Sequence, residues 1–259
     1  MNISKYIMAL LLTLLVALTF SASAAGVDIA AAVDKAGKQR MLSQKIAKAY
    51  FYLGKGIRPD KVGRQLQDSL SLFKINHSDL KSTITDKGVQ DMLAFVDFAV
   101  DEYSDLAERP YNEENAALIL DLSETILEAS QDIVVNIENL SKVRKSKIVN
   151  LSGRQRMLTQ RIAKYYIAYQ AGFRDKNSTE QLTIAVDEFE SALDILKNEK
   201  INTPQINTEL TKVSRLWRLV RSFFLNVEKG GLPVTVLATT DSIMKSMNTV
   251  TGMYVTVSE

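Results

Sequence analysis

A twelve-residue segment that occurs twice in this 259-residue chain carries its most distinctive chemistry. Residues 37–48 read GKQRMLSQKIAK and residues 153–164 read GRQRMLTQRIAK, so nine of twelve positions are identical at an offset of 116. Each copy places one arginine, Arg40 or Arg156, among small and short polar residues. A guanidinium is a flat, permanently charged fork of donors that suits a planar oxyanion. Anion binding is therefore the first chemical hypothesis for this chain.

Most other chemistries are excluded by composition. The chain has no Cys and one His, His77, which excludes zinc sites built on thiolate or imidazole clusters, a Cys nucleophile and disulfides. No Gly-x-Ser-x-Gly nucleophile elbow, phosphate-binding loop, paired carboxylates or cofactor motif stands out. We therefore predict no enzyme activity, no cofactor or metal and no nucleic-acid partner, and we expect His77 to be an exposed helix residue without a role.

The repeated segment forms an unusual face when it is placed on a helix at 100° per residue. The residues within about 60° of Arg40 on this projection are Val33, Ala36, Gly37, Ser43, Gln44, Ala47 and Phe51. The second copy has an equally small and polar face around Arg156. Such a face is self-complementary, as at a two-fold interface, and packing one copy on the other would bring the two guanidinium groups together. They would repel each other unless an anion lay between them.

Basic residues are concentrated around both motifs. Segments 35–59 and 139–174 contain half of the 32 Lys and Arg residues and none of the 30 acids, although the net charge is only +2. Such a cluster focuses positive potential and attracts anions. The alternative is a solvated basic face that acids on neighbouring helices, such as Asp121 and Glu124, neutralise. We apply the anion interpretation to Arg40 and Arg156 only and interpret the outward lysines as solvated.

The whole repeat predicts two copies of one helical unit of about 115 residues. Apolar residues recur at spacings of three and four, and no segment alternates like a strand. The predicted helices cover residues 28–54, 61–84, 88–107 and 113–146, then 149–172, 178–198, 204–229 and 233–256. The predicted fold class is all-α, with two tandem antiparallel four-helix bundles forming an internal pseudo-dimer. Because no Pro or Gly separates residues 113 and 152, one prediction is that the fourth helix continues into the fifth as a long rod.

The first 25 residues have the layout of a secretory signal peptide. A positive start at Lys5 precedes an apolar run and the small residues of an Ala-x-Ala site. We predict cleavage after Ala24 or Ala25, a periplasmic mature protein, and two repeats at 26–147 and 148–259. The alternative is an uncleaved segment that anchors the protein in the inner membrane. We expect any signal to pass to another protein, such as a membrane sensor or chemotaxis partner.

The motif resembles those of known sensory proteins. Its pattern Gly-x-x-Arg-Met-x-Ser/Thr-x-Arg/Lys resembles the P-box of NarX- and NarQ-type nitrate sensors. Its longer form resembles the N-terminal domain of PilJ, the type IV pilus methyl-accepting chemotaxis transducer. The nitrate-sensor resemblance implies four-helix bundles that hold one nitrate between the arginines matching Arg40 and Arg156. It adds Lys35, which has Leu151 as its counterpart in the second copy. The PilJ resemblance implies no particular ligand.

Two functions follow from these observations. The first is a periplasmic protein that binds a small inorganic anion, with nitrate or nitrite as the leading ligand. Its predicted ligand-binding residues are Arg40, Arg156, Gly37, Gly153, Gln44, Gln160 and Lys35, and no catalytic or metal-binding residue is predicted. The second is a structural or protein-interaction module for a membrane sensor or a pilus or chemotaxis system, without a small ligand.

Overall fold

The computed structural model describes residues 28–140 and 145–258, which contain eight α-helices and no strand. The helices are α1 Ile29–Gly54, α2 Pro59–Thr83, α3 Lys87–Glu108, α4 Glu113–Asn139, α5 Lys145–Gln170, α6 Lys176–Lys197, α7 Pro204–Leu225 and α8 Pro233–Ser258. A 3₁₀ turn, Val227–Lys229, follows α7, so that helix ends earlier than predicted. The all-α prediction is confirmed. The predicted signal peptide lies outside the described residues.

Local sequence explains where the helices begin and end. Five of them start after a side chain that accepts a hydrogen bond from the backbone N–H three residues later; these capping residues are Asp28, Asp86, Asn112, Asp175 and Thr203. Pro59, Pro204 and Pro233 occupy first helical positions, where a missing N–H is harmless. The turns after α1 and α5 use Gly56 and Gly172 at φ values of 64° and 109°, which favour glycine.

The eight helices form two four-helix bundles with the same internal arrangement. In the first, α1 packs against α2 and α4, and α3 closes the bundle between α2 and α4. In the second, α5, α6, α7 and α8 repeat these contacts. The numbers of equivalent residues differ by 116 in the first two helices of each copy. They differ by 117 in the last two helices, because the second copy has one inserted residue.

The prediction of a continuous rod from α4 into α5 is wrong. Lys164 Nζ lies 2.5 Å from Glu124 Oε1, and Asn150 Nδ2 lies 2.8 Å from Glu138 Oε2. In a straight helix residues 124 and 164 would be about 60 Å apart at 1.5 Å per residue. The chain therefore reverses direction between α4 and α5, and the two helices run antiparallel; residues 141–144 lie outside the described part.

The two bundles meet through their motif helices, which confirms the predicted internal pseudo-dimer. Helices α1 and α5 form the most extensive helix pair of the described chain. They run parallel, because α4 is antiparallel to both of them and because Phe51, near the end of α1, contacts Phe173, just after the end of α5. Both helices are buried on almost every side, since each packs within its own bundle and against the other. The pseudo-two-fold axis therefore runs between the two motif helices, roughly along their length.

Candidate functional site

Two glycines make room for the two motif arginines where α1 and α5 cross. A Cβ atom added to Gly37 would lie 3.2 Å from Arg40 Nη2 and 3.4 Å from Arg156 Nη2. A Cβ atom at Gly153 would lie 3.1 Å from Arg156 Nη2 and 3.9 Å from Arg40 Nη2. Both guanidinium groups therefore lie side by side against both glycines. The structure brings these four predicted site residues together at the pseudo-two-fold axis.

Arg40 is fully buried and its terminal nitrogens contact neutral amides. Nη1 donates to Gln131 Oε1 at 2.5 Å, and Nη2 donates across the interface to Asn150 Oδ1 at 2.9 Å. Asn150 in turn donates to Glu138, so the nearest acid reaches Arg40 only through an amide. Within residues 28–140 and 145–258, no carboxylate lies within 4.0 Å of this guanidinium. Arg40 is thus a buried cation without a direct counter-ion in the described structure.

Arg156 is held by residues at equivalent positions to those around Arg40, but one of its partners is charged. Nη1 donates to Asn248 Oδ1 at 2.9 Å, which is the position equivalent to Gln131. Nη2 lies 2.8 Å from Asp34 Oδ1, the position equivalent to Asn150. Asp34 Oδ1 is off the N–H directions, so this contact is an ion pair rather than an aligned hydrogen bond. One carboxylate therefore stands where the other half of the site has an amide.

The pKa values of Arg40 and Asp34 reflect the crowding of these charges. Burial, and after it the charge of Arg156, lowers the pKa of Arg40 to about 9, because both disfavour the cation. For Asp34, burial opposes ionisation, but the neighbouring Arg156 and Lys38 outweigh it and lower its pKa. The pair of guanidinium groups is consequently neutralised on one side only.

Several buried polar atoms of the motif helices have no partner among the residues that the structure describes. The Nε atoms of Arg40 and Arg156 are buried and make no hydrogen bond within the described residues. The side-chain amide of Gln160 is likewise buried, with neither its oxygen nor its nitrogen bonded there. Buried polar groups are normally satisfied, so such atoms point to an additional partner. An oxyanion would accept hydrogen bonds from the arginine Nε atoms.

Each motif ends in one buried lysine that connects the copies, so the interpretation of the lysines around the motifs as solvated is wrong for these two. Lys48 is fully buried, with Nζ 2.7 Å from Asp241 Oδ1 on α8. Lys164 is also fully buried, with Nζ 2.5 Å from Glu124 Oε1 on α4, and Arg161 binds the other oxygen of that carboxylate. Both pairs cross between copies at equivalent positions. The identical lysines and matching acids were a signal that could have revealed them.

These pairs also set the ionisation of their acids. Burial opposes the charge of Glu124, but Lys164 and Arg161 outweigh it and lower its pKa to about 2. In the same way Lys48 outweighs burial and lowers the pKa of Asp241 to about 2. Both carboxylates are therefore ionised at neutral pH and hold the lysines in place across the interface.

The other predicted site residues lie farther from the guanidinium pair. Lys35 Nζ lies 3.3 Å from Asp79 Oδ2 on α2, so its ammonium group pairs within the first bundle. Gln44 lies one turn after Arg40 and donates to the carbonyl oxygen of Ser123 at 2.8 Å. Gln44 therefore ties α1 to α4, whereas its counterpart Gln160 has no such bond.

His77 is buried, so the expectation that it is exposed is wrong. Its Nδ1 lies 2.8 Å from Nε2 of Gln39, a motif residue, and its Nε2 lies 2.7 Å from Asp97 Oδ1. Burial lowers the pKa of His77, and Asp97 partly opposes this. The second copy has Leu193 at the equivalent position, and Gln155 there donates to the backbone of Phe189. This polar bridge to the motif helix exists in one copy only.

The part of the chain that the structure describes comprises residues 28–140 and 145–258. In that part of the chain, no group of three or more acidic or histidine side chains is placed to hold a metal ion. None of the helices described there combines the length and apolar character needed to cross a membrane.

The comparisons with known proteins identify a family. One protein-family model matches residues 24–132 and again residues 139–243. This family is described as the type IV pili methyl-accepting chemotaxis transducer N-terminal region, PilJ. No curated protein and no solved structure matches the chain. Each family match covers one motif helix and most of one bundle. Because the two matches together span most of the sequence, this protein belongs to the PilJ family.

Proposed function

We propose that this protein is a periplasmic sensory module that binds a small oxyanion, nitrate or nitrite first among them, between Arg40 and Arg156. The PilJ family supports a sensory role in a chemotaxis-type system, with a membrane sensor or chemotaxis protein as its partner. The resemblance of the motif to the nitrate-sensor P-box supports the ligand class. No catalytic activity is part of this proposal.

The observation that carries the ligand is the pair of buried guanidinium groups at the crossing of α1 and α5. Two adjacent cations repel each other, and Asp34 compensates only one of them. An anion between Arg40 and Arg156 would neutralise the second charge and accept hydrogen bonds from their Nε atoms, which have no partner in the described structure. Nitrate and nitrite are small and planar, which suits two guanidinium groups that lie side by side against Gly37 and Gly153.

Isothermal titration with sodium nitrate and sodium nitrite tests the proposal. A charge-assisted hydrogen bond contributes about 1.5–3 kcal/mol, so Arg40→Ala and Arg156→Ala should each weaken binding by roughly 10- to 150-fold. Arg154→Ala is the matched control, because Arg154 lies on the same helix but pairs with Glu188 at the surface. It should change affinity little. Saturable binding that all three variants retain equally would remove the arginine pair from the site.

A second function is favoured by one specific observation. Gln131, Asn150, Asn248 and Asp34 already bind the terminal nitrogens of the two arginines. A purely structural role for the pair would make this an interaction module without a small ligand. In that case no anion in a thermal-shift panel would stabilise the wild type, and both alanine substitutions would destabilise it.

Export is the second part of the proposal. We expect the mature protein to begin at Ala25 or Gly26, because the small residues before them match a signal-peptidase site. Mass spectrometry of the periplasmic fraction would identify that N-terminus. An intact Met1 chain in the membrane fraction would instead support the anchored alternative.

A further inference from the structure

The outer flanks of the two bundles are equivalent in position. Helices α3 and α7 pack mainly against the second and fourth helices of their own bundles, and neither contributes to the contact between α1 and α5. They therefore lie on opposite sides of the molecule, related by the pseudo-two-fold axis. If both copies served the same surface role, these flanks would carry similar residues.

The flank formed by α3 is acidic and apolar. We define the acidic flank as Asp91, Phe95, Phe98, Asp101 and Glu102, which share one exposed stripe of the helix. Phe95 is 55% exposed and Phe98 is 81% exposed. Asp91, Asp101 and Glu102 make no ion pair within the described residues. Two large aromatic rings in water, framed by unpaired acids, form a surface that can dock a partner.

The flank formed by α7 has the opposite charge. We define the basic flank as Lys212, Arg215, Arg218 and Leu219, the residues equivalent to Phe95, Phe98, Asp101 and Glu102. All four are exposed, Leu219 by 63%. Lys212 makes only an ion pair with Glu209 one turn away, at 3.4 Å. Arg215 and Arg218 make none within the described residues, whereas the neighbouring Arg221 binds Glu190.

We propose that the acidic flank of one molecule binds the basic flank of a second copy of this chain. Arg215 and Arg218 would face Asp101 and Glu102, and an arginine would also stack on Phe98, a favourable cation–π contact. Leu219 would cover Phe95. Two identical flanks cannot pair in this way, because like charges would meet. This proposal is independent of anion binding.

The geometry makes this association head to tail. Each molecule that uses one flank leaves the other flank open on its opposite side. A contact between two different surfaces repeats into an open chain unless the rotation closes a ring. Because the contact is one helix face against another, it should be weak and strongly dependent on salt and concentration.

Sedimentation velocity at rising protein concentration tests the proposal on the mature protein. At about 50 mM NaCl the weight-average sedimentation coefficient should rise with concentration, and about 500 mM NaCl should abolish the rise because it shortens the screening length to a few ångströms. A sedimentation coefficient that stays at the monomer value at low salt and high concentration would overturn the proposal.

Charge-swap variants give the sharper result. R215E/R218E should carry two acidic flanks and D101K/E102K two basic flanks, so each alone should lose association at least tenfold. An equimolar mixture of the two should regain it, because each native flank then meets a complementary one. K55E/K176E changes charge equally outside both flanks and should associate like the wild type. Failure of the mixture to associate, or association of either variant alone, would overturn the proposal.

Discussion

The two copies differ at the residue that faces the opposite arginine. Copy one presents Asp34 to Arg156, and copy two presents Asn150 to Arg40, although the surrounding motif is nearly identical. A homodimer of single repeats would have two acids or two amides at these positions. Fusion of two repeats in one chain allows one of each, so the centre has an excess of one positive charge instead of none or two among these four side chains. Duplication therefore permits a pair of arginines of which only one has a carboxylate partner.

The lysine–acid contacts between the copies, in contrast, are the same in both copies. Lys48 and Lys164 bind acids of the other copy at equivalent positions, Asp241 and Glu124. Removing one partner of a buried ion pair destabilises the folded protein, because the remaining charge stays buried without compensation. We infer that these contacts hold the bundles together, while the differences at the axis would set the affinity for the proposed anion.

The largest effect is expected from breaking the cross-copy ion pairs. Glu124→Gln leaves Lys164 and Arg161 without their carboxylate and should lower the free energy of unfolding by about 3–5 kcal/mol. Asp241→Asn should have a smaller effect within that range, since Lys61, its second cation, is half-exposed. Urea unfolding followed by circular dichroism measures both.

A surface pair provides the control for that comparison. Glu188→Gln breaks the partly exposed pair with Arg154 and should change the free energy of unfolding by less than about 1 kcal/mol. Because the pKa of Glu124 is lowered to about 2, its stabilisation is complete above about pH 5 and is lost as the pH falls through about 2. If Glu124→Gln behaved like Glu188→Gln, the ion pair would not hold the bundles together.

The next effect concerns the asymmetry at the axis. Asp34→Asn removes the acid that competes with a bound anion for Arg156, so nitrate affinity should rise by about tenfold, or about 1.4 kcal/mol. Asn150→Asp gives Arg40 a carboxylate and should lower affinity by a similar factor. Isothermal titration of both variants checks these opposite signs. Changes in the same direction would contradict a role for these residues in tuning the site.

A smaller effect is expected at the crossing glycines. Gly63→Ala on α2 meets no neighbouring atom and should stabilise the protein by about 0.5–1 kcal/mol, because alanine favours helices. Gly37→Ala and Gly153→Ala should lose this gain, since the new Cβ presses on a guanidinium group at 3.1–3.2 Å. Their nitrate affinity should also fall a few-fold. Thermal unfolding measures the stability of the three variants, and titration measures their nitrate affinity. Equal results for all three would contradict this prediction.

The smallest effect is expected at His77, a position at which the two copies differ. Its lowered pKa means that the folded protein resists protonation, so wild-type stability should decrease slightly as pH falls from about 7 to 5. His77→Leu copies Leu193 of the second repeat and should remove this slope, with less than about 1 kcal/mol change at pH 8. Urea unfolding at several pH values tests this, and an unchanged slope would exclude His77 as its source.

The amino-acid sequence by itself determined the duplication, the all-helical bundles and the pairing of Gly37 and Arg40 with their counterparts. These features follow from periodicity and from small residues that permit only one kind of close helix contact. They could be predicted because both copies carry the same information twice.

Only the tertiary structure decided which partners the charged residues take. Arg156 binds Asp34 from 122 positions away, and Lys48 binds Asp241 from 193 positions away. Such contacts depend on the parallel packing of α1 on α5 and on the reversal of the chain after α4, which helical periodicity does not encode. His77 became buried for the same reason: periodicity identifies which side of a helix faces the core, but not which polar side chain a neighbouring helix covers.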